Sequence, residues 1–442
     1  MSFWSNVLGP RQTFEGGCFL PDHKAATARR PIEPVAADGP LHVPMQAARD
    51  LPTVIEVEAC DYVLGGQRLA RPADVASLPV HSPTSGLVVA LRRVWTPLDG
   101  YLPGVALEPD GKDQWQAPSR GWESESFIFQ LAQSGVMCNV PRMPAHRVIQ
   151  DAVAAGVTDL IVNAVETEPY LSADLRTLVE EPGRLVDTIC ETADALGAHR
   201  AMIALPFRHH RVVKRIEAEV VGRHIEVVPL SDRYPQCNPI VLVKTLLDLE
   251  VSPGESVLDV GVLVLPLATI RAAAGALLDG RPVTDTVVTV AGDAVDHAGN
   301  YRVPVGTPLR RLAERAGLLK PVALGVVGGP LTGVAIGREE AVVTADTTAL
   351  LLFSGDEQAN PVPCIHCGWC VEDCPVGLDP SALIHVESER TCDATTLAQL
   401  RACVDCGLCS HVCPAQLPLS ASIKRARLRL VRQVQQAMGV GS

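Results

Sequence analysis

The stretch CIHCGWCVEDCP, residues 364–375, decides the fold of the carboxyl-terminal part of this 442-residue chain. Residues 403–414 repeat its pattern as CVDCGLCSHVCP. In each copy three cysteines follow one another at intervals of three residues, a fourth comes four residues later, and a proline ends the motif. Three thiolates on one short loop can hold three irons of a cubane, so the repeat predicts metal clusters.

The spacing C-x2-C-x2-C-x3-C-P is that of bacterial ferredoxins with two [4Fe-4S] clusters, in which the fourth cysteine of each motif binds the cluster of the other motif. The predicted ligands are, for cluster A, Cys364, Cys367, Cys370 and Cys413, and, for cluster B, Cys403, Cys406, Cys409 and Cys374. Two zinc sites are the alternative, but zinc usually takes separate pairs of cysteines. Two neighbouring clusters provide a path for single electrons, which explains why the motif occurs twice.

The segment between the motifs is longer than a minimal ferredoxin needs, and PSALIHVESERTCDATTLAQL (380–400) is predicted to be helical. We therefore expect an α-helical ferredoxin domain in which Cys392 binds no cluster. The chain has 14 cysteines, and those outside the motif region are scattered singly. A secreted disulfide scaffold would be evenly studded with cysteines, so this distribution indicates a reducing cytoplasm.

The composition is that of an ordinary globular chain, with 47% hydrophobic and 20% charged residues. The formal net charge of −12 argues against a general nucleic-acid-binding role. No secretory signal is predicted, and the longest apolar runs are too short or too rich in Gly and Pro to cross a bilayer. We expect a cytoplasmic protein that is peripheral on the membrane only through a partner.

The chain is predicted to be a multidomain α/β protein with three modules ahead of its ferredoxin domain. Residues 1–121 hold an N-terminal segment and short alternating strands with glycine turns, which favour a barrel-sandwich hybrid. Between 122 and 270, buried strands alternate with helices, as in a parallel, Rossmann-like domain. Residues 271–345 follow the hairpin-and-helix pattern of a β-grasp module. The two-cluster ferredoxin domain then spans 346–442.

Two helix termini carry further local predictions. Thr307 and Pro308 are expected to cap and begin the helix of the β-grasp module. The tail SIKRARLRLVRQVQQAM (422–438) reads as a basic helix. It could dock an acidic partner or a membrane surface, or it could be a solvated terminal helix.

The order of these parts resembles the C subunit of the Rnf (Rsx) electron-transport complex, over nearly the whole chain. The stretches that carry the resemblance are GGCFLPDHKAATARRPIEP (16–34), NAVETEPYLSADLR (163–176), SDRYPQ (231–236), VTVAGDAVDHAGNYRVPVGTPL (288–309) and GVVGGPLTGVAI (325–336). The fourth of these is similar to that family's soluble-ligand-binding β-grasp (SLBB) domain. The α/β region is also similar to the NADH- and FMN-binding subunit of respiratory complex I, and cobalamin reductases share the architecture.

The resemblance implies a peripheral cytoplasmic subunit of a larger oxidoreductase complex. Such a protein takes a hydride from NADH onto FMN and passes single electrons through two [4Fe-4S] clusters. Its partners are other redox proteins: a flavoprotein, a membrane redox subunit or a terminal reductase.

The stretch SGVMCNVPRMPAHRV (134–148) departs from the family at the flavin loop. In the family a loop of the form Gly-x-Gly-Gly-Ala-x-Phe-Pro-Thr opens a helix and lets backbone N–H groups reach the flavin phosphate. Here Pro144 matches the family's proline, while Cys138 and Asn139 replace the paired glycines. The side chains expected to fill the flavin space are those of Cys138, Val140 and Met143, and Pro141 offers no N–H donor.

Residues elsewhere in the sequence that correspond to the family's cofactor site are partly changed and partly kept. The Gly-Glu that follows Tyr-Pro-Gln in the family is replaced by residues 237–239, Cys-Asn-Pro. Glu166 and Glu168 remain of the acidic stretch that faces the cofactors in the family, together with Asp174. We interpret Glu166 as a fold-stabilising carboxylate at a strand end rather than a cofactor contact. Arg142 is interpreted as a solvated surface arginine rather than a phosphate ligand.

Three functions are compatible with these observations. The first is an electron-transfer subunit that relays electrons through two clusters, without FMN or NADH binding of its own and with no catalytic residue. The second is an NADH:acceptor oxidoreductase with FMN in a rebuilt site, of the Rnf or the cobalamin-reductase type. The third is an assembly subunit with structural clusters. The altered loop favours the first over the second, and the complete eight-cysteine pattern favours the first over the third.

Overall fold

The computed structural model of this protein describes residues 14–117, 126–337, 340–355, 360–387 and 393–437. These residues form antiparallel, parallel and mixed β-sheets and a helical carboxyl-terminal part. In the described ranges, no helix has both the length and the apolar character that a bilayer crossing requires.

The first module is a sandwich of two antiparallel sheets, as the sequence predicts. Its strands, after β1 (Ile32–Pro34), are β2 (Leu41–Pro44), β3 (Thr53–Ile55), β4 (Tyr62–Val63), β5 (Arg68–Pro72), β6 (Val80–His81), β7 (Gly86–Thr96) and β8 (Gly100–Pro109). One sheet has the order β2-β8-β7-β4 and the other β3-β5-β6. Alternate residues of these strands point inward and share one apolar core, while β1 leaves the sandwich and pairs with a later strand.

The second module contains the predicted parallel α/β sheet. Its elements are α1 (Phe127–Gln133), β9 (Met137–Asn139), β10 (Arg142–Pro144), α2 (Ala145–Ala154), β11 (Asp159–Asn163), α3 (Ala173–Glu180), α4 (Pro182–Leu196), β12 (Arg200–Pro206), a 3-10 turn (Phe207–His209), α5 (His210–Glu219), β13 (Ile225–Leu230), α6 (Pro239–Leu247), a 3-10 turn (Val257–Val260), β14 (Val262–Pro266) and α7 (Leu267–Asp279). The strands pair in parallel in the order β13-β12-β11-β14. Leu160 and Val162 pack into one core and Ile161 into the core on the other face, which explains why β11 is continuously apolar.

The third module is a mixed sheet with one helix against it. Its elements are β15 (Asp285–Ala291), β16 (Gly299–Pro304), α8 (Leu309–Ala316), β17 (Leu324–Val327), β18 (Val334–Ile336) and β19 (Ala349–Phe353). The sheet order is β1-β16-β15-β19-β17-β18, and β15 and β16 form the expected hairpin. The prediction that Thr307 caps α8 is wrong: its hydroxyl donates to the carbonyl of Pro304 (2.8 Å), and Pro308 takes the N-cap position without a side-chain hydrogen bond.

The carboxyl-terminal part is helical, as predicted. Its elements are α9 (Trp369–Glu372), α10 (Pro380–Leu383), a 3-10 turn (Ile384–Glu387), α11 (Ala394–Ala402), α12 (Leu408–His411) and α13 (Leu419–Ala437). The first half of α13 is not solvated, because Ile423 and Ala426 are buried in the core of this part. Arg427 of the same helix donates to the carbonyl of Cys403 and pairs with Asp405, whereas Lys424 and Arg425 are exposed, so the basic tail is only partly engaged within the chain.

Arg142 joins three modules and is not the solvated arginine that the sequence suggests. Its guanidinium donates to both carboxylate oxygens of Asp99 (3.0 and 2.6 Å), to Asp346 (2.6 Å) and to the carbonyl of Ala47 (3.2 Å). Burial opposes the charge, but the hydrogen bonds to both carboxylates raise the pKa of Arg142 above its ordinary value. Burial also opposes the charge on Asp99, yet the hydrogen bonds from Arg142 hold the pKa of Asp99 below its ordinary value.

Replacing Arg142 is therefore expected to destabilise the native chain, because Asp99 and Asp346 would stay largely buried without their partner. We expect Arg142→Ala to lower the midpoint of thermal unfolding by roughly 5 °C or more, measured anaerobically by circular dichroism. The matched control is Arg200→Ala, which removes a more exposed ion pair with Asp159 (2.6 Å) and should change the midpoint little. Equal shifts for the two variants would contradict the role given to Arg142.

Candidate functional site

The two cysteine motifs have the same backbone conformation. His366 and Asp405 each have a φ of 54°, and Gly368 and Gly407 follow with φ of 81° and 77°. Glycine is needed at Gly407 for a second reason, since an added Cβ would lie 2.5 Å from the carbonyl oxygen of Leu331. A one-turn helix begins after each glycine, α9 in the first motif and α12 in the second. The repeat in the sequence is therefore a repeat in structure.

The thiols of the two motifs fall into two neighbourhoods. Cys370 interacts electrostatically with Cys367 of its own motif and with Cys413, the last cysteine of the other motif. Cys374 interacts with the first three cysteines of the second motif, and Cys409 of that motif also interacts with Cys370, so the two neighbourhoods adjoin. The last cysteine of each motif thus neighbours the other motif. The division of the eight cysteines between clusters A and B stays a prediction.

The described residues of this region fit iron–sulfur clusters by the chemistry of their donors. All eight motif cysteines are free thiols. The backbone N–H of His366 donates to Sγ of Cys364 (3.4 Å), and that of Leu378 donates to Sγ of Cys374 (3.3 Å). Such N–H···S contacts are among the features that set cluster potentials. In the described ranges no three His, Cys, Asp or Glu side chains converge tightly enough for a single metal ion. Cys392 lies outside the described residues.

The second motif packs against the α/β module. The hydroxyl of Tyr234 donates to the carbonyl of Cys406, and the side-chain amide of Asn238 donates to the carbonyl of Val404 (3.3 Å). On the other side, the N–H of Gly17 donates to the carbonyl of Asp373 (2.8 Å), next to Cys374. No local sequence pattern could show that Tyr234 and Asn238 hold this motif, because each partner lies more than 150 residues away in the chain.

A cavity of ≈ 230 Å³ lies where β11 and β14 end, between the parallel sheet and the mixed sheet. The strand order reverses between β11 and β14, and the carboxyl ends of strands at such a point are where open α/β sheets bind ligands. Three carboxylates and one arginine are among its lining groups: Glu166, Glu168, Asp174 and Arg271. The cavity is therefore placed as a nucleotide site would be, with an acidic wall.

Glu166 caps a helix. Its carboxylate oxygens accept the backbone N–H groups of Asp174 (3.2 Å) and Leu175 (3.3 Å), in the first turn of α3. The N-cap residue of that helix, Ser172, uses its hydroxyl elsewhere, so Glu166 supplies the missing acceptor. The amine of Lys24 also donates to the carbonyl of Glu166, and burial lowers the pKa of Lys24. These contacts support the fold-stabilising interpretation of Glu166.

Glu168 is buried and holds the loop before β18. It accepts the hydroxyl of Thr332 (2.6 Å) and the N–H of Leu331 (3.2 Å), and the hydroxyl of Tyr234 lies 3.5 Å away. Burial raises the pKa of Glu168, and these hydrogen bonds oppose the rise. Glu168 therefore lies between the cavity and the loop of the second cysteine motif.

The segment in place of the family's flavin loop forms a hairpin, β9 to β10, that turns at Val140 and Pro141. Cys138 is fully buried, as expected. Val140 and Met143 are 45% and 38% exposed, and that they fill the flavin space stays a prediction. Of this segment, Asn139 and Val140 line the cavity.

Residues 237–239 lead into α6. The side-chain oxygen of Asn238 accepts the N–H of Ile240 (3.0 Å), and Pro239 occupies the first turn, as is common at helix starts. Cys237 lines the cavity, and burial raises its pKa to about 11. A neutral thiol and a capped helix thus stand where the family has Gly-Glu.

Two family models match the chain. Residues 12–112 match the RnfC barrel sandwich hybrid domain, and residues 142–274 match the Nuo51 FMN-binding domain. The second match begins at Arg142, after the altered glycine positions.

The chain is similar over most of its length to proteins that are named as C subunits. It is 30% identical over 395 residues to the C subunit of the ion-translocating oxidoreductase complex of Rhodobacter capsulatus, covering 86% of this chain and 76% of that one. It is 28% identical to the C subunit of the proton-translocating ferredoxin:NAD(+) oxidoreductase complex of Clostridium ljungdahlii, covering 84% of each. Against the corresponding protein of Cronobacter sakazakii the identity is 31%, and this chain spans about half of that protein (49%).

Among solved structures, a chain of the NAD+-reducing [NiFe]-hydrogenase in the H2-reduced state is similar, with a TM-score of 0.49 and 17% identity. The match covers 73% of this chain and 64% of that chain. These values are too low to transfer any residue assignment.

Asp174 gives the cavity a pH-dependent effect on stability. Burial and the adjacent charge of Glu166 raise the pKa of Asp174 to about 8. When the pKa of a carboxyl is higher in the native state than in the unfolded chain, the group stabilises the native state fully only at pH values below its pKa in the unfolded chain, near 4. This stabilisation is lost as the pH rises toward 8, the pKa in the native state. We expect Asp174→Asn to raise the thermal midpoint by a few degrees at pH 8 and by less at pH 6. Asp194→Asn, on the exposed side of α4, is the control. A gain at pH 6 equal to that at pH 8 would refute the linkage.

Tyr234 should support the second motif more than the first. Removing its hydroxyl in Tyr234→Phe leaves the carbonyl of Cys406 without this donor, at a cost of about 1 kcal/mol. We expect a chelator to remove about half of the iron severalfold faster from this variant, followed by loss of visible absorbance under argon. The control is Tyr301→Phe, which deletes a similar buried hydroxyl, donating to the carbonyl of His297, in the mixed sheet. The prediction would be contradicted if all of the iron were lost faster to the same degree, or if the rate of iron loss did not change.

Proposed function

We propose, from the premise that this chain belongs to the RnfC family of electron-transport proteins, that it relays single electrons through two [4Fe-4S] clusters between redox partner proteins. We further propose that it does so without a functional FMN or NADH site of its own. The observation that carries the relay is the pair of structurally matched motifs with eight free cysteines, each motif adjoining the last cysteine of the other.

The residues proposed to hold the clusters are the eight of the sequence prediction. Bound [4Fe-4S] clusters would accept and donate one electron at a time. The chain's own part is to place the thiols, to donate N–H groups to sulfur and to keep water from the second motif by packing it against Tyr234 and Leu331. Burial raises the pKa of the free Cys406 and Cys409 thiols, and bound iron would favour their thiolate forms.

The residues of the cavity do not fit FMN. A volume of ≈ 230 Å³ lies below the roughly 300–1,000 Å³ of sites that hold drug-sized ligands. Glu166 and Glu168 face one arginine, Arg271, which also lies 3.3 Å from Asp285, so a phosphate dianion would meet little positive charge. At the hairpin turn Pro141 has no N–H to offer. We therefore assign no hydride or flavin step to this chain.

A second candidate keeps the flavin. The match to the Nuo51 FMN-binding domain and the position of the cavity at the strand-order reversal both favour FMN in a rebuilt site. This candidate requires the cavity to widen at Glu166 or Glu168, which the contacts of both carboxylates oppose.

The proposed setting is a larger oxidoreductase complex. The similar proteins of Rhodobacter capsulatus and Clostridium ljungdahlii are named as parts of ion- or proton-translocating complexes. By analogy we propose that this chain is a peripheral subunit on the cytoplasmic side of a membrane, held there by partner proteins. A flavoprotein, a membrane redox subunit or a terminal reductase would supply or accept its electrons.

The test uses anaerobically purified full-length protein. We expect about eight irons and eight acid-labile sulfides per chain. Excess FMN should leave the thermal midpoint unchanged, because a ligand that does not bind the native state cannot shift unfolding. NADH should reduce neither the clusters nor an added acceptor above a protein-free control. Stoichiometric FMN, or NADH oxidation at enzyme-like rates, would replace this proposal by the second candidate.

Cysteine variants test the cluster ligands. Cys367→Ser and Cys406→Ser should each lower the iron content by about half, since each removes one ligand of one predicted cluster. Cys60→Ser changes an exposed free thiol outside the motifs and should leave the iron content unchanged. Full iron content in both motif variants would contradict the ligand assignment.

A further inference from the structure

The two cysteine motifs differ in what covers them. Leu408, which follows the glycine of the second motif, is 1% exposed. Trp369, at the same place in the first motif, is 52% exposed. The backbones of the two motifs match, so this difference comes from the surroundings and not from the motif itself. The second motif faces Leu331 and Tyr234, whereas the described residues leave about half of the Trp369 surface exposed.

Exposed apolar side chains are concentrated at the first motif, and this part of the surface is here called the first-motif face. Its members are Val362 (49% exposed), Ile365 (62%), Trp369 (52%) and Val371 (40%), all within ten positions of one another. Cys364 and Cys367 are exposed on the same loop. Exposed apolar groups gathered at one place on a soluble surface mark an interaction site, while scattered ones do not. Here the site surrounds two predicted cluster ligands.

The charges that the structure places beside this face are mainly negative. Glu372 is exposed on α9 beside Val371 and Trp369. Asp379 interacts electrostatically with Cys370, and Asp373 precedes Cys374. One basic group, Arg233, lies close enough to interact with Asp373, whereas Arg427 lies at the second motif and binds the carbonyl of Cys403. The first-motif face is thus apolar with an acidic rim.

We propose that the first-motif face is the docking surface for a redox protein that presents a positively charged rim around its own cofactor. This inference rests on the proposed electron relay and assigns different roles to its two clusters. The cluster at the first motif exchanges electrons with the partner, and the cluster at the second motif lies further inside the chain. An apolar centre gives contact at short range, and opposite rim charges orient the encounter. A second copy of this chain is a poorer occupant, because two acidic rims repel each other.

The test uses a probe of known charge, ferric cytochrome c, whose lysines surround its haem edge. The probe is compared with the same cytochrome after lysine acetylation, which removes the positive charge and keeps the haem. The anaerobic full-length protein is first reduced with dithionite and desalted, and is then mixed with each form in a stopped-flow instrument. One electron leaves the chain for each haem iron, which goes from ferric to ferrous, and no proton or bond is exchanged. Benzoquinone, a small neutral acceptor, reports electron release without docking.

The test variant is Val371→Lys, in the first-motif face. Its matched control is Val221→Lys, the same substitution at a valine of the α/β module that is 78% exposed. We expect Val371→Lys to slow the reduction of cytochrome c about tenfold at low ionic strength, because a positive charge in the face repels the probe. Val221→Lys should stay within about twofold of the unmodified chain. Both variants should reduce benzoquinone normally, and the acetylated probe should react slowly with all three proteins. At high salt the differences should shrink.

A binding measurement separates docking from electron transfer. Ferrous cytochrome c accepts no electron, so its affinity for the chain, measured by thermophoresis, reports contact alone. We expect Val371→Lys and Trp369→Ala to weaken this binding and Val221→Lys to leave it unchanged.

The outcomes distinguish the two levels of inference. If Val371→Lys behaves as the unmodified chain toward cytochrome c, while iron content and benzoquinone reduction are normal, the docking surface is wrong and the relay stands. If the unmodified chain holds no clusters, or reduces neither acceptor, the proposed function fails and this inference fails with it. If the unmodified chain is a dimer in sedimentation and Trp369→Ala makes it a monomer, the occupant is a second copy, and a cationic partner is excluded.

Discussion

The structure depends on a buried hydrogen-bonded junction at Glu168 and Tyr234. The carboxylate of Glu168 belongs to the α/β module and binds the loop of Leu331 and Thr332 in the mixed-sheet module. The hydroxyl of Tyr234, 3.5 Å from that carboxylate, binds the carbonyl of Cys406. A buried carboxylate is costly unless it is hydrogen-bonded, so each of these partners must stay in place. One junction thereby fixes the second cysteine motif against two modules that are distant from it in sequence.

This junction restricts what the neighbouring cavity can do. In a nucleotide site, acidic side chains must be free to meet the ligand, but here both glutamates are already engaged. Glu166 stabilises the start of α3, and Gly329 packs so closely that an added Cβ would lie 2.3 Å from the carboxyl carbon of Glu168. Turning either carboxylate toward a ligand would leave buried N–H groups unpaired, at about 1–3 kcal/mol each. The acidic stretch of residues 166–174 therefore makes capping and packing contacts within the chain.

The features that the sequence predicts well are local ones. The cysteine spacing, the continuous apolar strand β11 and the hairpin of β15 and β16 depend on residues close together in the chain, and the structure has the predicted elements in each place. The error at Arg142 concerns a side chain whose partners are remote, since it binds Asp346 across 204 positions, which no local pattern could show. The error at Thr307 is a local one, because its hydroxyl bonds backward to the carbonyl of Pro304 instead of capping α8.

The two copies of the cysteine motif also show the difference between what local sequence determines and what distant parts of the chain determine. Sequence spacing makes the two loops alike in backbone, with glycines at φ of 81° and 77°. What makes them different is the rest of the chain, which buries Leu408 and leaves Trp369 outside. In a protein with one cluster, that cluster would have to be shielded from water and also be accessible to the partner protein. Two equivalent loops in unlike surroundings divide these requirements, since solvent exposure and N–H donors tune each centre separately. In the proposed relay, the asymmetry of the environment, more than the symmetry of the motif, distinguishes an outer centre from an inner one.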